Sequence, residues 1–462
     1  MNEILKRFET FFTAFSRRRD FLKEKDFTRE RDFPLKTLLY SFILDASSGF
    51  KLGTLQLLQL MWLENCFPSR KEGPPSAEAY RKACLKLPVE MVIEAAAESH
   101  RQARSDKDEL YHGMRVIIVD GSRCIIPRTK DTIEAYGLGS GTAGDAYYPQ
   151  IQLEAFLDLA TGTFSDMNFD NGVPRERQLL IEHAEKNTEL TFYITDAGFN
   201  GMAHIFMLAG TGHHILMELK MGQLAEDFRK SRKRSAILEV TLTRGHLLNY
   251  PEHRHLVGTK FKVRLVRTIG TNKLRSRVLI TTLLDEKLYN WFDLVRLYLQ
   301  RWRIELAFRH LKSQVKIEHI KKTSLLRIRQ LLWAAIIFYN LAASIRNNLK
   351  RPKLFPEKEK IKIFCFSFIL DMSKHFLSAA IFPQRGQKMY LERCVKAMRN
   401  CWFLYEPWRI RPKICQFPSS VFTRCKSTQR EAEFRRCEAV KEDMILLGIA
   451  YGMISPKREK TA

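Results

Sequence analysis

The 462-residue sequence contains no Cys-x-x-Cys pair and no pair of histidines at zinc-finger spacing. Its nine cysteines are scattered, six of them between Cys365 and Cys437. Reduced thiols are the expectation, with a zinc site as the remaining alternative. Long apolar runs are also missing, since none reaches the ~20 residues of a membrane-spanning helix. The longest, Leu331 to Ile345, stops at 15 residues between Arg329 and Arg346 and predicts a buried core helix. The opening Met1-Asn-Glu-Ile-Leu-Lys-Arg-Phe has no uninterrupted apolar segment, so no export signal is expected. A phosphate-binding loop is missing too. The Gly-rich stretch Tyr136 to Gly144 has neither the lysine nor the strand-to-helix setting of one, and reads as a plain loop.

Acid is scarce against base. The chain has 77 Lys and Arg but 51 Asp and Glu, a formal charge of +26. Such an excess points to a polyanionic partner, most simply nucleic acid. A membrane surface would attract it as well, but no anchoring segment accompanies the charge. Hydrophobic content of 45 % is that of a folded chain rather than a disordered one. The length predicts two to four domains.

Residues 1–105 read as a helical region that binds DNA. Apolar clusters such as Leu38–Leu44 and Leu55–Trp62 alternate with basic runs including Arg17-Arg18-Arg19. Ser76 after two prolines predicts a capped helix start, and Pro88 a stop. That short helix carries Arg81, Lys82 and Lys86. From residue 115 the pattern turns to strand. Arg115-Val-Ile-Ile-Val-Asp120 is an apolar β-branched run ending in an acid. A hairpin is expected to turn between Asp158 and Gly162, and a helix to cover Arg175 to Glu185. Leu190-Thr-Phe-Tyr-Ile-Thr-Asp196 is a second strand ending in aspartate. Taken singly, either aspartate could be an ordinary turn residue. Alternating residues around Phe261–Ile269 and an apolar run after Arg277 predict further strands. Residues 220–280 hold fifteen Lys and Arg against four acids, with Lys262, Arg264 and Arg267 not all on one face.

The most specific feature is Tyr298-Leu-Gln-Arg301-Trp-Arg-Ile-Glu305-Leu-Ala-Phe-Arg-His-Leu-Lys312. It has no Gly or Pro and reads as one helix. At 100° per residue, Tyr298, Arg301, Glu305 and Lys312 lie along one edge, beside an apolar arc. A carboxylate flanked by a guanidinium and an ammonium suits a metal ion and the phosphates it works on. The spacing Tyr-(2)-Arg-(3)-Glu-(6)-Lys resembles the signature of the DDE transposases of the insertion-sequence-four family. Phe27–Leu35 and the helix after Ser76 resemble that family's N-terminal region more loosely. The resemblance covers roughly residues 25–345. Where the family usually has Asp-Arg-Gly-aromatic, this chain has Asp196-Ala197-Gly198-Phe199, so one phosphate or acid-pairing contact is in doubt.

The resemblance implies an α/β fold: a ribonuclease-H-like catalytic core, interrupted by a β-rich insertion, with helical N- and C-terminal regions. The core is expected over 106–220 and 285–350, the insertion over 221–284, and a helical region over 351–462. It implies that Asp120, Asp196 and Glu305 bind two Mg2+ ions, replaceable by Mn2+. Tyr298, Arg301 and Lys312 are implied to grip transposon-end DNA. The activity implied is cut-and-paste transposition. It would run on terminal repeats and target DNA, by a homodimer, in the bacterial cytoplasm at the nucleoid. Two alternatives stay open: a DNA-binding protein derived from a transposase, and another nuclease on the same core.

Overall fold

The computed structural model describes residues 1–404, apart from 28–31, 68, 71, 142–143, 171–175, 220–222, 232, 271–275, 356–361 and 385, together with Arg435. Part of the resembling stretch Phe27–Leu35, part of 221–284 and nearly all of 405–462 therefore lie outside the described residues. The chain is mixed α/β, with a large sheet and many helices. It divides into two compact units. Of the described residues, the first takes those of Met1–Tyr193, Arg301–Leu354 and Phe364–Trp402, and the second chiefly those of Ile194–Gln300.

The chain opens with helices α1 (Asn2–Arg17), α2 (Leu35–Ser47), α3 (Thr54–Leu63), α4 (Ala77–Lys86) and α5 (Val89–Ala103). Next come β1 (Arg115–Ile125), α6 (Lys130–Tyr136), β2 (Leu138–Gly141), β3 (Gly144–Asp158), β4 (Phe164–Asp170) and α7 (Glu176–Lys186). Strand β5 (Thr191–Thr195) runs over the boundary of the two units. The second unit continues with α8 (Met202–Gly210), β6 (His214–Glu218), α9 (Gln223–Lys230) and β7 (Ser235–Thr241). It is completed by β8 (Lys260–Arg267), β9 (Val278–Thr281) and α10 (Trp291–Leu299). The first unit resumes in α11 (Trp302–Arg309), α12 (Leu325–Leu349), α13 (Phe366–Ile381) and α14 (Gln387–Asn400).

In the first unit the helices follow their apolar spacing. Ile4, Phe8, Phe11, Phe12 and Phe15 are the buried stripe of α1. The Ser76 hydroxyl accepts from the Ala79 amide at 3.2 Å and caps α4, as its position after the prolines predicts. Helix α12 extends beyond the 15-residue apolar run at both ends. At 25 residues it is long and apolar enough to cross a membrane, but 94 % of its most apolar window is buried. It packs against α2, α5 and α13 as the core of the unit. The arginines that flank the apolar run both have partners. Arg329 donates to the Tyr136 hydroxyl at 3.1 Å, and Arg346 to the Thr161 carbonyl at 2.7 Å. Polar residues inside α12 are satisfied as well. Asn340 exchanges two 2.9 Å bonds with the Phe164 backbone and donates to Ser99 at 3.0 Å.

Strands β1 and β3 pair antiparallel from Ile117↔Asp158 to Ile125↔Gln150. β4 returns along the other edge of β3 through the turn at Gly162, whose φ of +62° suits glycine. Two expectations are corrected here. β1 does not end at Asp120 but continues five residues to Ile125, because Gln150–Glu154 supply a partner for each position. The Tyr136–Gly144 stretch is not a loop throughout. Gly137, at φ +70°, ends α6, and β2 then pairs with the start of β3.

The second unit holds the strand order β6-β9-β8-β7, each pair antiparallel. Arg264 on β8 is 1 % exposed. Its guanidinium donates to the Ser235 hydroxyl at 2.7 Å and the Tyr289 carbonyl at 2.6 Å. Arg267 donates to the Arg229 carbonyl at 2.9 Å. So part of the basic character of this stretch is internal wiring rather than a solvated face.

Candidate active site

Asp120 sits in the middle of β1, opposite Ala155. The run Val116–Val119 is buried on both faces, and burial relaxes to intermediate at Asp120. One Asp120 oxygen accepts from the Gly121 amide at 2.8 Å. Gly121 lies close under two flexible side-chain ends. A Cβ there would collide with the Glu176 carboxylate and come within 2.8 Å of the Gln152 amide. Glu176 opens α7 and accepts from Gln152 at 2.8 Å. No spacing in the sequence pointed to this neighbouring acid.

Glu305 lies in the first turn of α11, where the partial positive charge of a helix start favours a carboxylate. Ile304, Ala307 and Phe308 bury the other side of that helix, leaving the Glu305 side chain 38 % exposed. Between the two acids stands Arg301. It donates to Asp120 Oδ2 at 3.2 Å and to Glu305 Oε1 at 3.1 Å, with its own side chain only 11 % exposed. Residues 181 apart in sequence are thereby joined by one planar fork, which can serve two carboxylates at once.

The segment is helical, but not as one α-helix. α10 ends at Leu299, where Gln300 bonds back only three residues to Leu297, and α11 starts at Trp302. His310–Val315 then widen into a π-helical turn ended by Lys316 in the left-handed conformation. The 100° count therefore does not run unbroken from Tyr298 to Lys312. Lys312, on the π turn, donates to the Arg123 carbonyl on β1 and lies 3.7 Å from Glu318. It thus reaches the same strand that carries Asp120.

Asp196 and Tyr298 belong to the second unit. Asp196 follows β5 directly and caps the short turn Ala197–Phe199, accepting from the Gly198 amide at 2.7 Å. Tyr298 is buried at 4 % exposure, and its hydroxyl donates to Glu218 at 3.1 Å. Glu218 also pairs with Arg277 at 3.2 Å. Cys124, four residues beyond Asp120, is buried, and burial pushes its thiol up to about 12. It is an inert core thiol rather than a ligand or nucleophile.

Among the described residues, no group of three or more His, Cys, Asp or Glu side chains is gathered to hold a metal. The acids joined by Arg301 are hard oxygen donors, which suit Mg2+ or Mn2+ and not a soft ion. One or two protein carboxylates suffice for Mg2+, because waters and substrate phosphates complete its shell. On donor chemistry the pair fits such an ion.

The sequence is also similar to known transposases. The sequence description of the family "Transposase DDE domain" matches residues 111–341. Transposase InsG for insertion sequence element IS4, from Escherichia coli (strain K12), is 24 % identical over 235 residues. That match covers 50 % of this chain and 51 % of the relative, so the chain spans about half of the relative's length. Among solved structures, a piggyBac transposase synaptic complex with hairpin DNA is similar at a TM-score of 0.44 and 11 % identity. The similarity covers 92 % of this chain and 91 % of that one.

Proposed function

Since the chain belongs to the transposase DDE-domain family, as a DDE transposase of the insertion-sequence-four group, we propose that it is a cut-and-paste DNA transposase. It binds transposon ends, cleaves them and joins the resulting 3′-hydroxyls to target DNA. The observation that carries this reading is the meeting of Asp120, Arg301 and Glu305 in the first unit.

Asp120, Glu305 and Asp196 are the residues that would hold two Mg2+ ions. When bound, such ions supply an activated water or hydroxyl nucleophile and stabilise the leaving oxygen. The protein's own part is positioning and charge. Asp120 is fixed by the β1–β3 ladder, and Glu305 by the buried side of α11. Arg301 keeps the two carboxylates facing each other, and its fork is the group best placed to take a phosphate when DNA arrives. Lys312 adds a point charge beside β1.

Residues 1–105 and the strand-bearing 221–284 are read as DNA-contacting parts, 106–220 and 285–350 as the core, and 351–462 as a helical C-terminal region. The working form is read as a homodimer on paired ends, at the bacterial nucleoid. The charge of +26 supports a DNA partner. The test is an end-cleavage assay with Mg2+ on the DNA that flanks the coding sequence. Wild type should nick and join these ends. Asp120→Ala, Asp196→Ala and Glu305→Ala should bind them without nicking, and residual cleavage in any one would remove that residue from the assignment.

A further inference from the structure

The hairpin made by β2 and β3 carries a surface that the reading above does not use. Tyr147 and Tyr148 are 68 % and 50 % exposed, with rings edge-to-face at 4.9 Å. The Arg128 guanidinium lies over the Tyr147 ring at 4.7 Å and donates to the Tyr147 carbonyl. Ile125, at 45 % exposure, adds apolar surface beside them. Arg123, Arg128 and Lys130 are all exposed, and among the described residues none of them pairs with a carboxylate. Exposed aromatics carry a cost in water unless something covers them. Arg128, held against the Tyr147 ring and without a carboxylate partner among the described residues, favours an anionic cover.

Exposed aromatic rings beside a cation that no carboxylate neutralises are the chemistry that binds a nucleic acid strand whose bases are not paired. The ladder gives this surface a position. Asp120 is opposite Ala155, and Tyr147 and Tyr148 lie farther back along β3, where the register against β2 is irregular between Asp145 and Pro149. Eight residues of chain separate Tyr147 from Ala155, so Tyr147 lies at most roughly 27 Å from the residue opposite Asp120, at about 3.4 Å per residue. That is at most about eight base steps of DNA at ~3.4 Å each.

We propose that Tyr147, Tyr148 and Arg128 form a stacking platform for unpaired bases of a DNA strand, within about eight nucleotides of the site of cleavage. The proposal rests on the transposase reading for its substrate, but the platform can fail by itself. The probe is a duplex with a single-stranded overhang carrying 2-aminopurine at successive positions, compared with a blunt duplex of equal length, using the full chain without divalent metal.

Wild type is expected to bind the overhang DNA at least fivefold more tightly than the blunt duplex. One or two adjacent 2-aminopurines should be quenched. The double variant Tyr147→Ala/Tyr148→Ala should lose both the preference and the quenching while binding the blunt duplex as before. Tyr147→Phe/Tyr148→Phe should keep both, since the ring and not the hydroxyl is used. Equal affinity of wild type for the two DNAs, or quenching that survives the double alanine variant, overturns the platform. In either case Mg2+-dependent nicking would still test the transposase reading separately.

Discussion

Arg301 reaches Asp120 at 3.2 Å and Glu305 at 3.1 Å, so one cation holds together the two acids expected to bind another. A divalent ion entering between these carboxylates must compete with the guanidinium. At close range, even with solvent screening, a neighbouring unit charge opposes such an ion by about 1 kcal/mol or more. Arg301→Ala should therefore tighten Mn2+ binding at least threefold, measured calorimetrically without DNA, and weaken duplex binding. Unchanged or weaker Mn2+ binding would show that the guanidinium serves chiefly to orient the acids.

The chemistry of the site was more legible in the sequence than its wiring. Two acids after apolar β-branched runs and a carboxylate at fixed spacing from Arg and Lys could be read directly. The Arg301–Asp120 contact could not, because it spans 181 residues and depends on how α11 packs against β1. Helical counting also assumed one unbroken helix through Gln300, where the backbone tightens. The end of β1 was misjudged for a related reason. Gly121 looked like a turn residue, but it continues the β1–β3 ladder opposite Glu154. Arg264 looked like part of a basic surface, and only the packing of β7 and the 285–289 turn reveals that it is internal.

Asn340 carries a prediction about specificity in the core. It is fully buried in α12 and satisfies both the amide and the carbonyl of Phe164. Asn340→Leu would gain apolar contact but orphan two backbone groups at roughly 1–3 kcal/mol each. Net destabilisation of about 2 kcal/mol or more is expected in urea unfolding. A neutral or stabilising result would mean that water replaces the lost partner.

Two buried groups should give stability opposite dependences on pH. Burial raises Asp45 from 3.8 to about 6, against the pull of Lys322 and Arg327, and its Oδ1 has no hydrogen-bond partner among the described residues. A raised folded value means that the folded state holds the proton more tightly. This contribution favours the fold at low pH and is lost as pH rises from about 4 to 6. His100, lowered from 6.5 to about 4 chiefly by burial, works the other way. Its contribution is present above 6.5 and is lost as pH falls toward 4. Asp45→Asn should therefore stabilise the protein at pH 7 by up to about 3 kcal/mol, from ~1.4 kcal/mol per unit. It should also steepen acid destabilisation, by leaving His100 unopposed. Melting curves between pH 4 and 7 that stay parallel to wild type would contradict the assignment.

Glu305→Gln separates the structural from the chemical use of this residue. Glutamine retains a carbonyl oxygen that can accept from Arg301, and Glu305 is partly exposed on α11, so folding has little reason to suffer. An exposed ion pair is worth under about 1 kcal/mol, which bounds the expected loss of stability. An amide is a much poorer ligand than a carboxylate for a hard dication. Cleavage should accordingly fall by several orders of magnitude while duplex affinity and its salt dependence stay near wild type. That salt dependence should itself be steep, with a log–log slope beyond about −3, because each neutralised phosphate contributes near −0.9. Raising Mn2+ should recover part of the Glu305→Gln activity if the defect is in metal binding, and none if Glu305 acts only by orienting Arg301. A Glu305→Gln protein that melts with wild type yet nicks ends at the wild-type rate would remove Glu305 from the site.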